Sequence, residues 1–267
     1  MAASNLKKRT LTGLILMVTL VVFIWLDRII LPIFMLTFVT FASNEYFRFW
    51  HRKDVYPHTL AVLFPIYAIT LLIYYETPLL LPMFILFIFV CLLSIMRYPG
   101  SRRTHNFLTE IAAGFLGSVY LSILPVTIVL LRKISFTICL MPFILTWLYD
   151  TFAYFAGSAL GQHGLAPKLS PKKTWEGTIL ALPLTLPFTL LLSRLWYPDF
   201  SVIDGIWITA GIGVLGTLGD LFESGMKREV GLKDSSGVFP GHGGFLDRID
   251  SLIFSVPFFY MYLITMR

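Results

Sequence analysis

A chain of 267 residues that is 57% hydrophobic and only 13% charged, with a mean hydropathy of +0.78, is too apolar for a domain surrounded by water. Its two cysteines, Cys91 and Cys139, both lie in apolar stretches and read as small hydrophobes, which leaves no disulfide framework or cysteine metal site. The net charge of +6 is the remaining global signal, and the distribution of its cations assigns it to membrane topology rather than to nucleic-acid binding.

Crossing ~30 Å of hydrocarbon takes about 17–25 helical residues. Nine segments fit that length, at roughly 10–26, 29–47, 57–75, 77–96, 108–131, 136–158, 178–196, 204–224 and 249–266, the second and sixth being interrupted by acidic residues. Lys7, Lys8 and Arg9 before the first segment imitate a secretory signal. No small-residue cleavage site follows Leu26, however, and Asp27 and Arg28 lead straight into the next apolar run, so the segment reads as a transmembrane helix. With nine spans, sixteen of the 21 Lys and Arg fall on the side of the N-terminus, and only Arg28, Arg132, Lys133, Arg194 and Arg267 on the other. Positive residues collect in cytoplasmic loops. The expectation is an all-α polytopic membrane protein of about nine transmembrane helices with a cytoplasmic N-terminus, residues 1–267 forming a single membrane domain. No repeat of 20–50 residues is present.

Two cytoplasmic loops, 159–177 and 225–248, are polar and rich in Gly and Lys, and chemistry belongs there. In chain order, Asp150 is a lone acid in the sixth segment, and the loop after it holds Ser170, Lys172, Lys173 and Thr174. The lysines suit a triphosphate or a lipid phosphate, or serve simply as positive-inside charge, while Ser170 and Thr174 suit a helix cap. Next, Asp220, Glu223, Ser224, Lys227 and Arg228 share a broad helical face at the end of a glycine-rich segment. Glu223 and Lys227 are spaced as an ordinary i,i+4 pair, so Glu223 is either structural or functional. Asp220 lies deeper, where an acid costs roughly 2.5–3.5 kcal/mol on insertion scales, and a functional role is expected of it.

Asp247 and Asp250 are then i,i+3 at the start of the ninth segment and are expected on one face of its cytoplasmic end. Two helices would thus each present an acidic pair. Converging carboxylates call for a cation, and oxygen-only ligands suit Mg²⁺. Asp220 and Asp247 are the expected metal ligands, with Glu223 and Asp250 as further candidates. The Gly-His-Gly-Gly turn before them is able to present backbone N–H groups to an anion, and His242 either moves a proton or bonds a phosphate oxygen. Glu45, Glu76 and Glu110 read as structural, Glu45 lying near the cytoplasmic interface beside Arg48.

The run Ser224-Gly-Met-Lys-Arg228, then Lys233-Asp234, then Phe239-Pro-Gly-His-Gly-Gly-Phe-Leu-Asp-Arg-Ile-Asp250 resembles the signature of bacterial phosphatidate cytidylyltransferases, also called CDP-diacylglycerol synthases. Ser170-Pro-Lys-Lys-Thr-Trp-Glu-Gly177 and the Asp150 region resemble the same family, so that residues 145–255 form the motif-bearing half. The resemblance implies transfer of a cytidylyl group from CTP to phosphatidate, with Mg²⁺ as cofactor, alone or with a second cation. It implies catalytic roles for Asp220, Asp247, Lys227 and Arg228, and substrate contacts from Asp150, Ser170, Lys172, Lys173, Glu176, Ser224, Lys233, Asp234, His242 and Arg248. It further implies a homodimer among membrane lipids in the bacterial inner membrane, its active site facing the cytoplasm.

Two rivals are weaker. An ion-coupled transporter or channel would line a pathway with its acids, whereas here they gather with glycines and cations at one face, and the outer loops offer no polar vestibule. A CDP-alcohol phosphotransferase would carry an Asp-Gly-x-x-Ala-Arg pattern, which is missing.

Overall fold

The computed structural model describes residues 2–26, 30–74, 88–89, 91–93, 96, 107–239 and 243–265. Its backbone divides into two compact units, residues 1–130 with 234–246, and residues 131–233 with 247–267.

The first unit holds α1 (Ala2–Trp25), α2 (Ile30–His51), α3 (Thr59–Tyr74) and most of α4 (Phe107–Ile134). These are helices because a bilayer offers no water to backbone N–H and C=O groups, so each segment must satisfy its own. Phe23 and Phe34 stack at 3.9 Å and join α1 to α2. The buried Tyr46 hydroxyl donates to the Ala113 carbonyl at 2.7 Å, and its ring lies over Gly117, where a Cβ would collide with it.

The second unit holds α5 (Phe136–Leu160), a hairpin of β1 (Gly164–Ala166) and β2 (Ser170–Thr174), α6 (Trp175–Trp196), α7 (Val202–Glu229), a 3₁₀ turn (Leu246–Arg248) and α8 (Leu252–Thr265). Ser135 caps α5 by accepting from the Ile138 N–H at 3.0 Å. Ser201 and Asp204 form a capping box at the start of α7, and Tyr262 of α8 donates to the same Asp204 at 2.5 Å. Pro142 interrupts the α5 ladder, and the Thr146 hydroxyl bonds the Pro142 carbonyl at 2.7 Å and Ser255 of α8 at 2.9 Å.

Among the described residues α2, α4, α5, α6 and α7 are long and apolar enough to cross a membrane, while residues 12–25 and α8 are shorter apolar helices. Large exposed apolar residues such as Phe155, Leu195, Ile203 and Trp207 suit contact with lipid tails. Eight of the nine expected segments overlap described helices, and the fourth, 77–96, lies largely outside the described residues. Two expectations need correction. The chain is helical but not purely so, because the loop between α5 and α6 folds into an antiparallel hairpin with Gly164 opposite Thr174 and Ala166 opposite Ser170. The last helix begins at Leu252 rather than near residue 249, so Asp247 lies in the 3₁₀ turn and Asp250 in the bend after it, and neither is on a helical face.

Candidate active site

The hairpin decides where the lysines go. Thr174 ends β2 and caps α6, accepting from the Gly177 N–H at 3.2 Å, whereas Ser170 begins the strand and caps nothing. Glu176 in the first turn of α6 holds the preceding loop by accepting from the Gln162 and His163 backbone and from His163 Nδ1 at 2.6 Å. A Cβ on Gly177 would strike the Ala153 carbonyl and Gly157, so glycine there lets α5 and α6 cross closely. Lys172 and Lys173 thereby line the same site as Asp150, which lies midway along α5.

A cavity of 390 Å³ opens within the second unit, and Asp150, Asp220, Asp247 and Asp250 all line it, together with Lys172, Lys173 and Arg248. Ser170, Thr174 and Thr178 add hydroxyls, while Trp147, Ala153, Tyr154 and Leu252 form an apolar flank. Tyr154 is 66% exposed, so this flank reaches the outer surface of α5.

The acids come together because α7 is pared down where the bend before α8 crosses it. A Cβ on Gly219 would run into the Asp250 carbonyl. Asp220 then accepts from Ser224 at 3.2 Å and pairs with Lys173 at 2.7 Å. Lys227 joins two acids, pairing with Glu223 and donating to Asp247 at 2.5 Å, with all three side chains nearly excluded from solvent. In the bend, Asp250 accepts from the Ser251 N–H at 2.8 Å, and enclosure, followed by the negative charges of Asp220 and Asp150, pushes its carboxyl above the usual carboxylate range.

The expected site residues therefore separate. Asp150, Ser170, Lys172, Lys173, Asp220, Asp247, Arg248 and Asp250 meet at one cavity. Ser224 supports Asp220 from behind, and Glu223 and Lys227 are buried away from the lining. Arg228 donates to the Leu169 carbonyl at 3.1 Å and to Leu232 at 2.6 Å, and Lys233 and Asp234 are exposed beyond the end of α7. Glu176 serves the helix start. His242 lies outside the described residues. Sequence reasoning did not single out Thr178 or Ser251, whose hydroxyl positions only the folded chain discloses.

Two features bear on what the cavity could hold. Arg248 Nε is buried without a hydrogen-bond partner among the described residues, and an unpaired buried donor is costly until an acceptor arrives. The carboxylates offer oxygen alone, and among the described residues no three of His, Cys, Asp and Glu converge to hold a metal by themselves. Mg²⁺ is commonly held by one or two carboxylates plus substrate phosphates rather than by an all-protein cage, so Asp220 and Asp247 fit an ion shared with a phosphate ligand.

Residues 7–266 match the model of the cytidylyltransferase family. A phosphatidate cytidylyltransferase of Haemophilus influenzae is 48% identical over 125 residues, covering 45% of this chain and 43% of that protein. One of Staphylococcus aureus is 44% identical over 129 residues, 47% of this chain and 48% of its own length, and one of Staphylococcus haemolyticus is 44% identical over 133 residues, 48% and 49%. The matched stretch spans about half the length of each of these relatives.

Proposed function

The chain belongs to the cytidylyltransferase family, and we propose that it transfers the cytidylyl group of CTP to phosphatidate, giving CDP-diacylglycerol and pyrophosphate. The observation that carries this reading is one cavity lined by four carboxylates, two lysines and Arg248, with an apolar flank. That combination suits two phosphate-bearing substrates, one of them with acyl chains.

A phosphate oxygen of phosphatidate attacks the α-phosphorus of CTP. The new P–O bond forms as the bond from the α-phosphorus to the oxygen bridging to the β-phosphorus breaks, and pyrophosphate leaves with that electron pair. The nucleophile is already an anion, so no strong general base is required. Asp220 and Asp247 are the residues that would hold Mg²⁺, with Asp250 and Asp150 beside them; bound there, the ion neutralises phosphate charge. Lys172, Lys173 and Arg248 orient the two anionic substrates, and the planar guanidinium suits the departing pyrophosphate. Lys227 fixes Asp247, and Ser224 fixes Asp220. The reading includes nine spans with a cytoplasmic N-terminus, a site facing the cytoplasm of a bacterial inner membrane, and a homodimeric enzyme.

Purified protein incubated with phosphatidate, radiolabelled CTP and Mg²⁺ is expected to move label into the lipid phase. No labelled lipid, in a preparation where a known phosphatidate cytidylyltransferase works, refutes the proposal.

A further inference from the structure

Lys172 and Lys173 reach the cavity on a hairpin that has little of its own to hold it. β1 has three residues and β2 five, their register shifts between Gly164 and Ala166, and their side chains are exposed or half-buried. A lone two-stranded hairpin is marginally stable at best in water. What fixes this one is attached at its two ends.

At the root, a Cβ on Gly157 or Gly161 would meet the Thr174 hydroxyl, so the end of α5 lies directly against the last residue of β2. Glu176, two residues further on, closes that junction. Its Oε2 accepts from the Gln162 and His163 N–H groups at 3.1 and 3.2 Å, its Oε1 accepts from His163 Nδ1 at 2.6 Å, and the Trp175 N–H donates back to the His163 carbonyl at 3.0 Å. At the turn, the Leu169 N–H donates to the Ala166 carbonyl at 3.0 Å, and the Leu169 carbonyl accepts from Arg228 Nε at 3.1 Å. Arg228 Nη1 donates to the Leu232 carbonyl at 2.6 Å, so one guanidinium joins the turn of the hairpin to the chain leaving α7. Neither Glu176 nor Arg228 lines the cavity, whereas Ser170, Lys172, Lys173 and Thr174, which lie between the two attachments, all do.

We propose that Glu176 and Arg228 are positioning residues for the nucleotide: they clamp the root and the turn of the hairpin, and so hold Lys172 and Lys173 toward the cavity without touching the substrate themselves. The assignment rests on the reaction proposed above. It makes opposite demands on charge at the two positions. Glu176 works as an acceptor for backbone N–H groups, a task an amide oxygen also performs, with the amide N–H turned to His163. Arg228 works as a fork whose two nitrogens meet two carbonyls, and a single lysine nitrogen does not occupy both places.

The test uses the full-length purified protein. In Glu176→Ala and in Arg228→Met, amide hydrogen exchange at Leu169 and Trp175 is expected to accelerate, and the KM for CTP to rise about fivefold with kcat changed by less than about twofold, the order of one lost hydrogen bond. Glu176→Gln should restore most of the wild-type KM, whereas Arg228→Lys should resemble Arg228→Met. Arg228 is exposed, so its variants carry the test if Glu176→Ala fails to fold. A raised KM with unchanged exchange overturns the assignment in favour of direct substrate contact, as does Glu176→Gln as impaired as Glu176→Ala or Arg228→Lys as good as wild type. A lower melting temperature with KM unchanged overturns it in favour of a purely structural role. Wild-type protein that labels no lipid refutes the cytidylyl reading itself, and active wild type with unaffected variants refutes only the clamp.

Discussion

Lys227 has two carboxylate neighbours and almost no exposure, which changes what it offers a substrate. The i,i+4 spacing made its pairing with Glu223 legible, but the bond to Asp247 depends on a turn that returns the chain twenty residues later. Glu45 reads as structural in the sequence, but its partners could not be read there, since the hydroxyls of Ser235 and Ser236 that donate to it lie 190 residues away or more and leave no local trace. With Lys227 and Arg228 engaged by protein groups, the proposed phosphate contacts rest on Lys172, Lys173 and Arg248. If, as proposed, Asp220 and Asp247 hold one ion, they should act as a unit. Asp220→Asn and Asp247→Asn are each expected to lower kcat by about a hundredfold or more, with the double variant adding little and raised Mg²⁺ partly restoring the singles. Losses that multiply in the double variant, or folded variants with near-normal rates at limiting Mg²⁺, would return both carboxylates to a structural role.

Elements were legible wherever a hydrocarbon-length apolar run imposed them. The expected 136–158 and 178–196 correspond to Phe136–Leu160 and Trp175–Trp196. The hairpin was not, because Ser170-Pro-Lys-Lys-Thr174 carries no alternation of apolar and polar residues, and its strand exists through its partner and the α6 cap. The α7 glycines were legible as a surface for close approach, although not the identity of what approaches. Gly219→Ala is expected to destabilise the protein by about 1–3 kcal/mol through overpacking against the Asp250 carbonyl and to depress turnover beyond that loss. Gly225→Ala, whose Cβ would have only Leu169 at 4.0 Å, should be close to neutral in both. Thermal melts and initial rates on the two variants side by side decide this, and equal behaviour would mean that the bend tolerates displacement.

For the molecule as a whole, hydropathy identified the membrane class, and the sorting of cations proposes its direction, with Arg102 inside and Lys133 outside. A cysteine placed at position 133 should react with an impermeant reagent in intact cells, and one at 102 only after permeabilisation; the reverse pattern overturns the nine-span topology. The apolar flank of the cavity, Trp147, Ala153 and Tyr154, belongs to a helix long and apolar enough to span the bilayer. If phosphatidate enters along that flank, it reaches the carboxylates by lateral diffusion and its product departs the same way. On the proposed reading the protein would then work in two dimensions for one substrate and three for the other. Its rate on the lipid side would follow mole fraction within the bilayer, so inert lipid would dilute the substrate while added water would not.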